Sequence, residues 1–154
     1  MVILGIDPGT TRVGYGVIKA NGNKIEYVRG GLLKTGGPAA DSLRVMESDL
    51  GKVIEEIKPE RAGIEKLFFA KNQKTGIRVA EARGVLLNTA AKAGLEIVEL
   101  APSEVKLALT GSGNASKEAV AKMVRYFVKL PKEKIVDDVT DALAIAIAVS
   151  RRMI

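Results

Sequence analysis

Val2-Ile3-Leu4-Gly5-Ile6-Asp7-Pro8-Gly9 is the stretch that decides the fold. Its apolar run is short, continuous and ended by a turn, the pattern of a buried central strand. Asp7-Pro8-Gly9-Thr10 supplies the turn chemistry, with Pro fixing φ and Gly permitting a positive one. Working outward, residues 14–19 read as a second strand and 24–34 as a third. Asn21-Gly22 between them is a strong hairpin signal. The chain therefore opens with an antiparallel meander, which Gly36-Gly37-Pro38 interrupts.

Beyond the meander the period changes. Leu43, Met46, Leu50, Val53, Ile54 and Ile57 form the stripe of an amphipathic helix that stops before Pro59. Residues 61–67 read as a strand. A helix follows over 72–93, with Ile77, Ala80, Gly84, Leu87 and Ala91 on one face and Gly94 past its end. Residues 95–100 form another strand. Helices over 103–109 and 116–129 flank Gly111-Ser112-Gly113-Asn114, and a last helix runs from Asp137 to about Ser150. This order predicts an α/β layered fold in a single domain, 1–154. Its sheet is five-stranded and mixed: an antiparallel β1–β3 meander, then parallel β4 and β5, flanked by helices.

Composition narrows the chemistry. The chain has 154 residues, no Cys, no His and no Trp. No Cys means no disulfide, thiolate nucleophile or zinc–sulfur site. No His removes the usual general base and every Ser-His-Asp triad. Hydrolysis would have to come from carboxylates, lysines, hydroxyls and oxygen-bound metals such as magnesium. No run of 18 apolar residues suggests a membrane span. The start lacks the basic region of a signal peptide, so a cytoplasmic protein is expected. The net charge of +6 suits a polyanionic partner such as nucleic acid, or simply solubility.

Four carboxylates stand out. Asp7 ends the first strand; it is either a turn-initiating Asp or a site residue. Glu65 ends the fourth; it is an edge carboxylate paired with Lys66 or Arg61, or a site residue. In the last helix every residue from Ala142 to Val149 is apolar, which predicts burial nearly all round. Asp138, Asp141, Ile145 and Ala148 share one of its faces. Acids near a helix start complement its dipole, and Asp137 fits that role. Two buried like charges one turn apart repel, and a divalent cation would relieve them. Open α/β sheets place their sites at the carboxyl ends of strands. If strands one and four are neighbours, all four acids meet in one crevice. That is an arrangement for two-metal phosphodiester hydrolysis, one ion activating water and the other stabilising the leaving 3′ oxygen.

These residues resemble the RuvC family of Holliday-junction resolvases, within the RNase H-like superfamily. The resemblance runs through Leu4-Gly5-Ile6-Asp7-Pro8-Gly9, Gly14-Tyr15-Gly16-Val17-Ile18, Ile64-Glu65, Phe68, Ala70-Lys71-Asn72, Ala82-Arg83-Gly84, Pro102-Ser103-Glu104-Val105-Lys106 and 138–146. It implies an RNase H-like fold, a homodimer, and magnesium-dependent paired nicking of four-way junction DNA in recombination and repair. It gives Asp7, Glu65, Asp138 and Asp141 the catalytic, metal-binding positions. Two magnesium ions per subunit are expected, with manganese as a substitute. Some members carry His at the position of Asp138; here the set is all carboxylate. A branch-migration helicase complex is an expected partner, and a membrane is not.

The DNA-facing set is Phe68, Lys71, Lys74, Arg78, Lys106 and Lys117. Phe68 matches the family's stacking aromatic, and base–aromatic stacking tolerates any sequence. Lys106 and Lys117 are expected on the scissile-strand backbone, where their charge would also offset that of the transition state. Lys71, Lys74 and Arg78 follow Phe68 as a basic run, otherwise a solvated surface. The Gly-rich loop before Lys117 is not a Walker A element, because Ser116 stands where a Gly is needed and Glu118 where a Ser or Thr is. Three rivals remain. A sugar-kinase-like ATPase would need a second lobe. A pure junction binder would gain nothing from four acids facing phosphates. A pre-ribosomal RNA nuclease shares the start but fits Glu65 and the Asp138/Asp141 pair less well.

Overall fold

The computed structural model describes residues 1–9, 11–68 and 73–152, with the backbone alone for 73 and 74. In chain order its elements are β1 (Val2–Asp7), β2 (Val13–Asn21), β3 (Lys24–Leu33), α1 (Ala39–Ile57), β4 (Arg61–Glu65), α2 (Gln73–Lys92), β5 (Glu96–Leu100), α3 (Pro102–Thr110), α4 (Lys117–Phe127) and α5 (Asp137–Arg151). The sheet order is β3-β2-β1-β4-β5. β1 pairs antiparallel with β2 and parallel with β4, and β4 pairs parallel with β5. The expected mixed sheet is the observed one, with β1 at its centre.

The period-2 rule sorts its side chains. Leu4, Ile6, Tyr15, Val17 and Ile64 face α1 and α2, where Met46, Leu50 and Leu86 complete one core. Ile3 and Ile18 face α3–α5 and pack with Val124, Leu143 and Ile147 in a second core. Asp7 has the parity of Ile3, and Glu65 that of Gly63. Both carboxylates therefore lie on the α5 face of the sheet. Every residue of α5 from Ala142 to Val149 is at most 2% exposed, as the apolar run predicts. At roughly 1.5–3 kcal/mol for each large apolar side chain buried, Leu143, Ile145 and Ile147 outweigh the repulsion within the acidic first turn.

Three local expectations are corrected. The β2–β3 turn centres on Gly22-Asn23, one residue later than Asn21-Gly22, because Asn21 pairs with Lys24. Only Gly22 has a positive φ, +58°, the requirement of a type II′ hairpin. β4 ends at Glu65 rather than at residue 67. Its partner β1 contributes no pairing beyond Ile6↔Ile64, since Pro8 has no N–H to continue a ladder. On α2 the buried residues are Ala82, Leu86, Thr89 and Ala90. The predicted face is turned away from the sheet: Ile77 is 54% exposed, and a Cβ on Gly84 would meet nothing within 4 Å. α2 has two apolar faces, and periodicity selected the outer one.

Candidate active site

Two strand ends and one helix start build the site. Asp7 and Glu65 are the last residues of β1 and β4. Asp138 and Asp141 lie in the first turns of α5. They meet because the strands beneath α5 carry glycine. A Cβ on Gly5 would lie 1.9 Å from the Ala142 carbonyl oxygen, and one on Gly14 would lie 2.1 Å from that of Asp138. No side chain fits there, so the α5 backbone rests directly on the sheet.

A pocket of about 250 Å³ results, lined by Asp7, Glu65 and Asp141 together with Lys106, Lys117 and the apolar wall of Val105 and Ile145. Local caps place the two lysines. The Glu104 carboxylate accepts from the Ala101 N–H at 2.6 Å and starts α3, which carries Lys106 in its second turn. Ser116 Oγ accepts from the Ala119 N–H at 3.1 Å, which makes Lys117 the first residue of α4. Lys117 Nζ lies 3.0 Å from Asp141 Oδ2. Asp138 stands at the rim, where Arg12 Nε is 3.7 Å from its Oδ2.

The acids feel one another. Burial, then the charges of Asp141, Glu65 and Asp138, push the Asp7 carboxyl up to about 7, against the pull of Lys117. Burial and Asp141 raise Glu65, with Lys106 opposing. Burial raises Asp141 too, opposed by its hydrogen bond to Lys117 and reinforced by Asp137 and Asp138. The same hydrogen bond raises Lys117. A pocket that resists its own negative charge, and has drawn an ammonium onto one carboxylate, suits a hard divalent cation with oxygen ligands. Among the described residues, no three acidic side chains converge as they stand into a metal-sized cluster; Lys117 occupies Asp141 instead.

The remaining expected site residues are spread. Phe68 is 63% exposed, three residues past Glu65. Lys71 and the Lys74 side chain lie outside the described residues. Arg78 is exposed on α2 and lines a different cavity, of about 440 Å³, with Thr11, Thr35, Ser42 and Glu81. Two residues escaped the sequence reading. Arg12 engages Asp138. Arg83 donates from Nε to the Glu65 carbonyl at 2.8 Å and pairs with Glu99 of β5. Neither has a partner close in sequence to betray it. The strand glycines did leave a signal, since glycine inside a strand marks a close backbone approach.

The fold agrees with what known proteins show. The family model described as crossover junction endodeoxyribonuclease RuvC matches residues 3–149. A protein of that description from Heliobacterium modesticaldum is 44% identical over 151 residues, covering 96% of this chain and 92% of its own. One from Pelotomaculum thermopropionicum is 41% identical, covering 96% and 91%. The Thermus thermophilus RuvC structure superposes with a TM-score of 0.90 at 34% identity, covering 99% of this chain and 96% of that one. The same protein in complex with Holliday junction substrate gives 0.88, covering 96% and 92%. The yeast mitochondrial resolvase Ydc2, at 15% identity, covering 97% of this chain and 78% of its own, and with a TM-score of 0.67, shares the fold. This chain, with its acids at the ends of β1 and β4 and the start of α5, belongs to the RuvC family of crossover junction endodeoxyribonucleases.

Proposed function

We propose that this protein is a structure-selective endonuclease, one nuclease domain over 1–154, that resolves four-way DNA junctions by paired, metal-dependent nicks in recombination and repair. The observation that carries the proposal is the pocket holding Asp7, Glu65 and Asp141 beside Lys106 and Lys117, with Asp138 at its rim. Asp7, Glu65, Asp138 and Asp141 would hold two magnesium ions, or manganese in their place. When bound, such ions supply an activated water and charge stabilisation for phosphodiester hydrolysis. The residues of the chain do the rest. Lys117 is held on Asp141 and is freed to a phosphate oxygen once other charge balances that carboxylate. Lys106 lines the same pocket and would offset the negative charge that develops on the phosphate. Val105 and Ile145 keep one wall dry, which strengthens every interaction inside. Phe68, exposed three residues past Glu65, would stack on a base at the opened crossover. By sequence, Lys71, Lys74 and Arg78 are the further basic residues expected to contact DNA; of these Arg78 is exposed on α2.

A homodimer matches a substrate of near two-fold symmetry. The outer stripe of α2, with Ile77, Gly84 and Leu87 left uncovered or half covered by the sheet, supports α2 as the self-associating face. Among the described residues no helix is long and apolar enough to cross a membrane. A role on chromosomal junctions implies a cytoplasmic protein and a branch-migration helicase as a working partner.

The deciding experiment is cleavage of a labelled synthetic junction in magnesium, against linear duplex, single strand and ATP turnover. We expect cuts in the junction alone, in symmetric pairs. Asp7→Asn should lower the rate by a factor on the order of 1,000 while still binding the junction. Cleavage of Asp7→Asn at the parent rate would overturn the site assignment, and ATP turnover without cleavage would restore the kinase-like reading.

A further inference from the structure

Lys122, Arg125, Lys129, Lys132 and Lys134 fall within thirteen residues that contain one acid, Glu133, so residues 122–134 carry +4 of the chain's net +6. None of the five lines the acidic pocket. All are exposed, and among the described residues none makes an ion pair. By contrast Arg29, Arg44, Arg61, Arg83, Lys92 and Arg152 are each matched with a carboxylate. Other unpaired cations, such as Lys19, Lys34, Lys52 and Lys58, are scattered along the chain; here five fall together within thirteen residues.

The group is also organised. Lys122 and Arg125 share one face of α4, and Lys129 follows just past its end. The chain then returns through Lys132 and Lys134 to α5. Between α4 and this return lies a groove of about 520 Å³, with Arg125, Lys129 and Lys134 along it, Glu133 as its one acid on the return, and Asp137 and Thr140 at its inner end. Asp137 and Thr140 of the groove alternate along the start of α5 with Asp138 and Asp141 of the acidic site, so the two lie on neighbouring residues of one helix. Tyr126, 78% exposed, stands between Arg125 and Phe127. Clustered like charge does not stabilise the free protein; its use is to attract a polyanion. The groove's nearness to the acidic pocket along α5 points to the same polyanion that the pocket would cut.

We propose that this groove is a second DNA contact, which tracks the sugar–phosphate backbone of a junction arm as it leaves the cleavage site. The inference rests on the resolvase reading. Lysines spread along a groove suit a repeating phosphate ladder, where register matters little and each neutralised phosphate releases counterions. Lys106 and Lys117 would engage the cut strand; Arg125, Lys129 and Lys134 would fix the direction of the arm.

The test compares the parent, the triple variant Arg125→Gln/Lys129→Gln/Lys134→Gln, and a variant of equal charge, Lys19→Gln/Lys52→Gln/Lys58→Gln, whose sites lie outside both the groove and the acidic pocket. Junction affinity is measured against salt, and hydroxyl-radical footprints are taken without magnesium or manganese, so that the protein itself cuts no strand. The groove variant should lose about 2.7 from the slope of log affinity against log salt, about 0.9 for each phosphate contact removed. It should also lose protection along the arms while keeping it at the crossover. An unchanged slope and footprint would overturn the proposal, as would an equal loss in the control variant or protection lost at the crossover instead of the arms. Junction cleavage by the parent in magnesium reads the resolvase assignment separately.

Discussion

Asp7 concentrates the conflict of the site into one side chain. Its carboxyl, pushed up to about 7 from the ordinary 3.8, binds a proton in the folded state across a window where the unfolded chain has lost it. Between about pH 4 and pH 7 the native state therefore holds more protons, and stability falls as pH rises. The loss is complete above pH 7, where the charged form is buried beside its neighbours. Asp7→Asn removes that charge. In metal-free buffer at pH 8 the variant should be more stable than the parent by on the order of 1–2 kcal/mol, about 2–4 °C in Tm for each kcal/mol. The gain should vanish below pH 4. Thermal melts across that range check it, and equal melts at pH 8 would mean the acids do not share a site. Arg83 works by position. Its Nε holds the Glu65 carbonyl while its other end holds Glu99, so it fixes the end of β4 against α2 and β5. Arg83→Met should raise the magnesium needed for half-maximal cleavage about tenfold, a loss of about 1.4 kcal/mol in ligand placement. Junction affinity without metal should stay the same, and direct manganese binding should weaken in parallel.

Between elements, the contact that matters is α5 on the sheet. A Cβ on Gly5 would fall inside the Ala142 carbonyl, and backbone cannot step aside as a side chain can. Overpacking typically costs about 1–3 kcal/mol, and Gly5→Ala should sit at or above the top of that range, read by chemical denaturation. Gly51 in α1 is the contrast, with open space around a new Cβ. Gly51→Ala should stabilise the protein by about 0.8–1 kcal/mol through helix propensity. The same close contact explains what could be read in advance. Strand β1, the meander and the buried run of α5 were legible because each has a local pattern: an apolar run closed by Asp-Pro-Gly, a hairpin, eight apolar residues in a row. Asp7, Asp138 and Asp141 stood out because they sit at the ends of such elements, and Glu65 because it closes β4. The outward face of α2 was misread because its two apolar stripes, Ala82-Leu86-Thr89 and Ile77-Gly84-Ala91, share one helical period; only packing distinguishes them. The roles of Arg12 and Arg83 could not be read because their partners lie 126 and 18 residues away.

For the whole molecule, the misread face of α2 becomes the feature to explain. A twenty-residue helix is about 30 Å long, and its outer stripe leaves Ile77 exposed and Gly84 open to close approach. In the proposed dimer the same stripe would meet itself across a two-fold axis, small residues would let the two helices draw near, and Ile77 would find apolar cover. One acidic site per subunit would then face one of two symmetric strands, and paired nicking would follow from geometry rather than from two independent encounters. Ile77→Lys places a charge in each half of that interface. Removing a buried apolar side chain and adding two unpaired charges should weaken self-association by at least a factor of about 100, some 2.7 kcal/mol. Sedimentation at micromolar concentration should move from dimer to monomer, with the circular dichroism of the fold unchanged. On a cruciform plasmid, where paired cuts give linear product and single cuts give nicked circles, the variant should shift the product from linear to nicked. Linear product from a protein that sediments as a monomer would break the link between α2 and paired cleavage.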